Sequence, residues 1–357
     1  MKELLRARLA GNALFFPAAT AYAIFALPAS VLAMLGNVPG PPGLAFPAEH
    51  AHEMLFGFAL AVVAGNQLGP VAATRLAALF ALWLAARAAF LIAPHSAASI
   101  ASNVAFAGIL AVQVAPRLLK AAKKPRNMAL PAVLIAICAS AAAFEFASEL
   151  PVLLAAVLLF ALLMLFMGGR LIAPAVAGQF YRQGANLEAR VQPRIEGGLI
   201  VCMTTAIATA GATRGAWLML GALAMIVSGL LAALRLLRWR LWALRGRPDL
   251  LCLAAGYAWL AVGLLLVGMA RLGGSGLVAA LHIITVGSIG TLTLNVMAMT
   301  WILKARQDPS RQRLPLWGTL LIAAATLART QDVLVLAASC WSAAFALLLV
   351  LFVRTRR

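Results

Sequence analysis

The chain has 357 residues, 64% hydrophobic and 11% charged, with a mean hydropathy of +0.97. A soluble domain carries roughly 45–50% apolar and about 25% charged residues, so the composition excludes a water-soluble fold and predicts an integral membrane protein. The 29 Lys and Arg against 10 Asp and Glu cluster between apolar runs, as in loops that set membrane orientation, and this distribution argues against a nucleic-acid partner.

Apolar runs of the length that crosses a bilayer, about 20 residues, recur along the whole chain. In order they cover approximately 13–36, 52–72, 74–94, 97–115, 128–147, 150–169, 195–213, 215–236, 250–270, 277–303, 315–329 and 332–353. Each is predicted to be a helix, because lipid offers free backbone groups no partner and the alternation of a barrel is absent. The expected architecture is all-α: one integral-membrane domain over 1–357, a bundle of about twelve transmembrane helices with no soluble domain.

With the N-terminus taken as cytoplasmic, 25 Lys and Arg fall on the inner side and Arg214, Arg271 and Arg329 on the outer, while Arg87 lies inside the third run. This asymmetry predicts an even span count with both termini inside. The segment Met1–Arg8 reads as the basic flank of a retained first span, since no small-residue cleavage site follows a short apolar core. The longest loops are an outer one over 37–51, rich in Pro and Gly, and an inner one over 174–194. Cys138, Cys202, Cys252 and Cys340 show neither CxxC nor CxxCH spacing and read as packing residues. No internal repeat is evident.

Four histidines are present, and on this topology all lie toward the outer face. His50 and His52 stand at the mouth of the second span, His95 in a short outer loop, and His282 about six residues into the tenth span, roughly 9 Å deep. His52 and His282 could then share one layer. An imidazole inside a span serves as a proton relay or as a metal or haem ligand, or more plainly as a hydrogen-bonded packing residue; His95 needs no task. Residues two apart on a helix point about 200° from each other at 3.6 residues per turn, so His50 and His52 would not chelate one ion together. His50 could instead pair with Met54 at i, i+4, an imidazole and thioether set suited to haem iron or Cu(I).

Arg87 within a span is costly unless paired. Glu53 and Glu145 are its expected partners, and a haem propionate or a proton path is the alternative. Asn66, Gln67 and Asn295 lie deep in the second and tenth spans and read as interhelical glue, with a polar track as the alternative. Gly57, Gly65, Gly287 and Gly290 would let helices approach. No nucleophile elbow, phosphate loop or dinucleotide fingerprint is present, so any turnover would be carried by a cofactor.

The string Glu49-His50-Ala51-His52-Glu53-Met54-Leu55-Phe56-Gly57-Phe58 resembles the HAHEMLFGF signature of the NnrS family. Gly168-Gly169-Arg170 with Pro174 is similar to its GGR-x-x-P element, and Gly256-Tyr257-Ala258-Trp259 to its GYAW element. The stretch from Leu281-His282 to Thr293-Leu294, with Thr285-Val286-Gly287 and Ile289-Gly290-Thr291 at its centre, is similar to a further family motif. The likeness runs from about residue 12 to 303. It implies a multi-span bacterial inner-membrane protein tied to nitric-oxide metabolism and nitrosative stress, holding haem b and/or copper near the outer leaflet. By the same resemblance the ligands would be His52 and His282 first, then His50, with Met54 as a further metal ligand. Arg87, Arg271 or Arg329 would pair with propionates. Its partners would be membrane lipids, nitric oxide and respiratory or denitrification proteins. Where the family carries a histidine before the GYAW tyrosine this chain has Ala254 and Ala255, and Lys304–Pro309 replaces a Gly-His-Thr-Gly-Arg turn, so a smaller ligand set is implied. Two other classes stay open: a secondary transporter of a metal, haem or small anion with Glu53, Arg87 and Glu145 as coupling charges, and an assembly factor for a respiratory complex.

Overall fold

A computed structural model describes residues 8–123, 125–147 and 149–355. Lys2, Arg6, Lys124, Arg356 and Arg357, which contribute to the orientation count, lie outside the described residues.

The helices follow the apolar runs. In chain order they are α1 (Asn12–Met34), α2 (Pro47–His52), a π-helical turn (Glu53–Ala59), α3 (Leu60–Gln67), α4 (Ala73–Ile92), α5 (Ala97–Ala121) and α6 (Ala129–Phe144). Then come α7 (Leu150–Arg182), α8 (Pro193–Ala208), α9 (Gly215–Arg238), α10 (Pro248–Gly273), α11 (Leu277–His282), a second π turn (Ile283–Gly290), α12 (Thr291–Lys304), α13 (Leu314–Thr330) and α14 (Leu334–Arg354). Eight helical runs among the described residues are long and apolar enough to cross a membrane, with α11 to α12 counted as one run; α6 and α13 are shorter and apolar. The protein is a multi-pass helical membrane protein. The strands among the described residues, β1 (Arg8–Leu9) and β2 (Val71–Ala72), pair antiparallel.

Local chemistry explains the boundaries. Pro47, Pro193 and Pro248 open their helices, where the missing N–H costs nothing. Ser96 caps α5 by accepting from the Ser99 N–H at 3.2 Å. Gly274, at φ +73°, closes α10 in the left-handed conformation that glycine adopts without strain. Several boundaries differ from the sequence expectation: α5 runs on to Ala121 rather than 115, and α8 ends at Ala208 rather than 213. The second helical run begins at Pro47 rather than 52. Helix α7 runs 33 residues, through Gly168-Gly169 and Pro174 to Arg182, so the first part of the expected inner loop is helical.

The chain divides into two compact units: Met1–Ala156 with Trp341–Leu349, and Val157–Cys340 with Val350–Arg357. In the first, Gly65 lets α3 meet α1 closely: a Cβ there would lie 2.5 Å from Phe16 Cδ1. Trp341 of α14 donates its indole N–H to the Ala23 carbonyl at 3.1 Å and packs edge-on against Phe58. In the second unit, α10 lies against both α9 and the second π turn. A Cβ on Gly229 would sit 2.8 Å from the Ala261 carbonyl oxygen, and one on Gly263 would sit 2.5 Å from Ile284.

The two π turns share a local design that apolar patterning does not reveal. Each follows a six-residue α segment ending in histidine, His52 or His282, and each carries a glycine five residues after it, Gly57 or Gly287. In the first, the Leu60 N–H bonds back to Leu55 rather than Phe56. Such insertions of a residue into one helical turn occur often at functional sites.

Candidate functional site

In the first unit, side chains from five segments close around Glu53. Arg87 of α4 donates to Glu53 Oε1 and, through its other terminal nitrogen, to Asn103 Oδ1 of α5. The Tyr22 hydroxyl of α1 donates to Glu53 Oε2. Asn103 is itself oriented by its amide, which donates to the Ser99 carbonyl at 3.1 Å. His52 sits beside this cluster with Nδ1 2.9 Å from Glu53 Oε1 and Nε2 3.0 Å from Glu145 Oε1. Glu145 stands at the C-terminal cap of α6. The imidazole and the Glu53 side chain are fully buried, and the Glu145 and Arg87 side chains are 2% and 5% exposed.

An apolar shell surrounds the charges. The His52 ring stacks on Phe90 with centroids 3.8 Å apart and the planes 11° from parallel, and Phe56 and Phe144 flank it at 5.4 Å. Gly57 makes room for the ion pair: a Cβ there would lie 2.8 Å from Arg87 Nη1 and 2.9 Å from Glu53 Oε2. Trp83 donates its indole N–H to the Gly57 carbonyl at 3.0 Å, holding α4 against the π turn. Opposite charges in so dry a site interact strongly, and each would be costly alone.

Glu53 is thus the partner expected for Arg87, whereas Glu145 engages His52 instead. Tyr22 and Asn103 are members that the sequence reading does not single out. A signal exists: Asn103 is polar within the fourth apolar run, and Tyr22 is one of only three tyrosines in the chain. His50 contacts Ser30 Oγ through Nδ1 at 3.0 Å, and that hydroxyl donates to the Leu44 carbonyl. His95 is largely exposed, 3.6 Å from Glu49. Met54 is half-buried in the π turn and Asn66 is exposed. The Gln67 carbonyl accepts from Arg117.

In the second unit, His282 donates from Nδ1 to the Val278 carbonyl at 2.7 Å. A carbonyl only accepts, so the proton is on Nδ1, and in the neutral ring the lone pair is on Nε2. Asn295 donates to Thr319 Oγ1 at 2.8 Å, joining α12 to α13. Arg271 donates to the Ala210 carbonyl at 3.1 Å, and Arg329 pairs with Asp332 at 2.6 Å. In the turn that follows α12, the Ser310 N–H and hydroxyl hold the Asp308 carboxyl below its usual range.

The second unit also explains the remaining motifs. A Cβ on Gly168 would strike the Tyr257 ring, and one on Gly169 the Arg235 guanidinium. Arg235 is buried, bonded to Glu196 at 2.7 Å and to the Leu165 carbonyl at 3.1 Å. Gly256 lies against Leu292, and Trp259 against Gly287. The GGR and GYAW elements and the His282 stretch therefore form one packed set of small and aromatic residues. A family model described as NnrS protein matches residues 10–355. The chain belongs to the NnrS family. No curated protein matches it.

The metal and haem chemistry that the NnrS resemblance implies needs a histidine with one ring nitrogen left as a donor atom. His282 has the arrangement of a ligating histidine, with one ring nitrogen donating to a carbonyl and the other bearing a lone pair. His52 does not fit, because both of its nitrogens are taken by carboxylates. Arg87, Arg271 and Arg329 are likewise engaged within the chain. Among the described residues no three His, Cys, Asp or Glu side chains are grouped to hold a metal ion.

Proposed function

We propose that this NnrS-family protein binds haem b or copper through His282 and acts in the response to nitric oxide and nitrosative stress in a bacterial inner membrane. The observation that carries the reading is the Nδ1 hydrogen bond of His282 to Val278, which leaves Nε2 as the donor atom. Family membership supports the role. The topology that goes with it is about twelve spans with both termini cytoplasmic, supported by helices on all twelve apolar runs and by the Lys and Arg bias. A haem or copper bound there would supply the centre that takes nitric oxide. The chain's own part is to orient the imidazole and to keep it in one tautomer.

The test is an oxidised-minus-reduced visible spectrum with metal analysis on the purified wild type, His282→Ala and His52→Gln. Haem bands or copper lost in His282→Ala and kept in His52→Gln are expected. A colourless, metal-free wild type expressed with ample haem and copper would remove the cofactor reading. A second reading, a secondary transporter, is favoured by the buried Glu53–Arg87 pair, since paired charges inside spans mark coupling sites. Substrate flux into proteoliposomes that survives His282→Ala and is lost in Glu53→Gln would support it.

A further inference from the structure

We propose that Arg235, Trp239 and Tyr257 hold a buried water molecule, and that the GGR and GYAW elements are the two sides of this one hydrated polar site. The inference concerns the second unit only and stands whether or not His282 carries a cofactor. It begins with hydrogen-bond accounting. Arg235 Nε, Trp239 Nε1 and the Tyr257 hydroxyl are buried, and none has a hydrogen-bond partner among the described residues. Buried polar groups are almost always satisfied, either by protein or by ordered water. Three such groups in one cluster therefore require a common partner.

The three groups lie together. Arg235 and Trp239 stand four residues apart at the C-terminal end of α9, on one face of the helix, and the guanidinium carbon is 5.5 Å from the centroid of the Trp239 ring. The Tyr257 ring, from α10, is centred 5.0 Å from that of Trp239. Its hydroxyl faces the Arg235 guanidinium without meeting it in hydrogen-bond geometry. Gly168 and Gly169 make the approach possible. A Cβ on Gly168 would lie 2.7 Å from Tyr257 Cδ2, and one on Gly169 would lie 2.9 Å from Arg235 Cζ and 3.2 Å from Glu196 Oε1.

Chemistry selects the occupant. The arginine and indole nitrogens only donate, while the phenol both donates and accepts, so the common partner must accept at least two hydrogen bonds. Its charge is set by the surroundings. The other guanidinium nitrogens bond to Glu196 at 2.7 Å and to the Leu165 carbonyl at 3.1 Å. The cation thus already has its carboxylate, and a further anion would be an uncompensated buried charge. Its size is limited as well, since the Tyr257 ring and the guanidinium fill the space above the two glycines. Water meets all three conditions. It accepts from Arg235 Nε and Trp239 Nε1 and donates to the Tyr257 oxygen, about the three bonds that a buried water makes. The bridge joins α9 to α10 at the point where α7 packs on both.

The deciding measurement is X-ray hydroxyl-radical footprinting of the wild-type protein in lipid nanodiscs, read by mass spectrometry, with a scavenger that removes radicals from bulk water. Radiolysis of a bound water oxidises the side chains that touch it, however deeply they are buried. Trp83 is the internal control, because it is as buried as Trp239 but donates its indole N–H to the Gly57 carbonyl. Oxidation of Trp239 is expected to run several-fold faster than that of Trp83, with oxidised Tyr257 detected alongside. Equal rates at the two tryptophans would overturn the proposal, and so would an excess at Trp239 that the scavenger abolishes, which marks opening to solvent instead. Crystals grown in bromide give a second readout. Ordinary water density beside Arg235 Nε is expected. An anomalous bromide peak there would assign the site to a halide and refute water, and a direct hydrogen bond between Arg235 Nε and the Tyr257 oxygen would show that the groups satisfy each other without it.

Discussion

Arg87 of α4 and Glu53 of the first π turn form an ion pair in which neither side chain is more than 5% exposed. Tyr22 adds a hydrogen bond to the carboxylate, and Asn103 accepts one from the guanidinium. Such a pair ties three helices to the π turn only while both members are present, because each charge alone would be stranded in a dry interior.

Removal of one partner is therefore expected to cost more than removal of both. Arg87→Leu should destabilise by about 3–5 kcal/mol, the usual penalty for stranding a buried charge. The double variant Glu53→Leu, Arg87→Leu should recover a large part of that loss. Thermal unfolding in detergent, read together with the yield of monodisperse protein, decides. A double variant as unstable as the sum of the singles would show that the pair is not the unit of stability.

Gly57 should tolerate no side chain. The Cβ of Gly57→Ala would enter the space of Arg87 Nη1 and Glu53 Oε2, and overpacking of this kind costs about 1–3 kcal/mol. The same melting experiment measures it. A loss of stability that disappears when Arg87 is already Leu would tie the effect to the ion pair.

On α7, two glycines with different surroundings predict opposite outcomes. Gly169→Ala would collide with the Arg235 guanidinium, whereas a Cβ on Gly178 would meet nothing within 4 Å. The first should lose about 1–3 kcal/mol. The second should be neutral or gain up to about 1 kcal/mol from helix propensity. Equal melting temperatures for both would contradict the packing described for the GGR element.

Asn295 and Asn66 form a further contrast. Asn295→Val deletes the bond to Thr319 and should cost about 1 kcal/mol, typical of interhelical hydrogen bonds in membranes. Asn66 is exposed, so Asn66→Val should stay within about 0.5 kcal/mol of wild type. Denaturation followed by helix content separates the two.

The membrane class, the helical segments and the family could all be read from the chain alone. Hydropathy is a local sum, and each span satisfies its own backbone, so a run such as 215–236 needs no distant partner to declare itself a helix. The same holds for motifs contiguous in sequence, such as that around His52. Pairing is a different quantity. His52 and Glu145 lie 93 positions apart, and nothing local to either shows that they meet or that Arg87 would take Glu53 and leave Glu145 to the histidine. The π turns were also illegible, because they preserve the apolar content of a span and alter only its hydrogen-bond register. Tertiary packing alone decided that both nitrogens of His52 face carboxylates while His282 bonds through Nδ1 to the Val278 carbonyl. It did so because a ring's role depends on what surrounds it in space, and helices distant in sequence supply those neighbours.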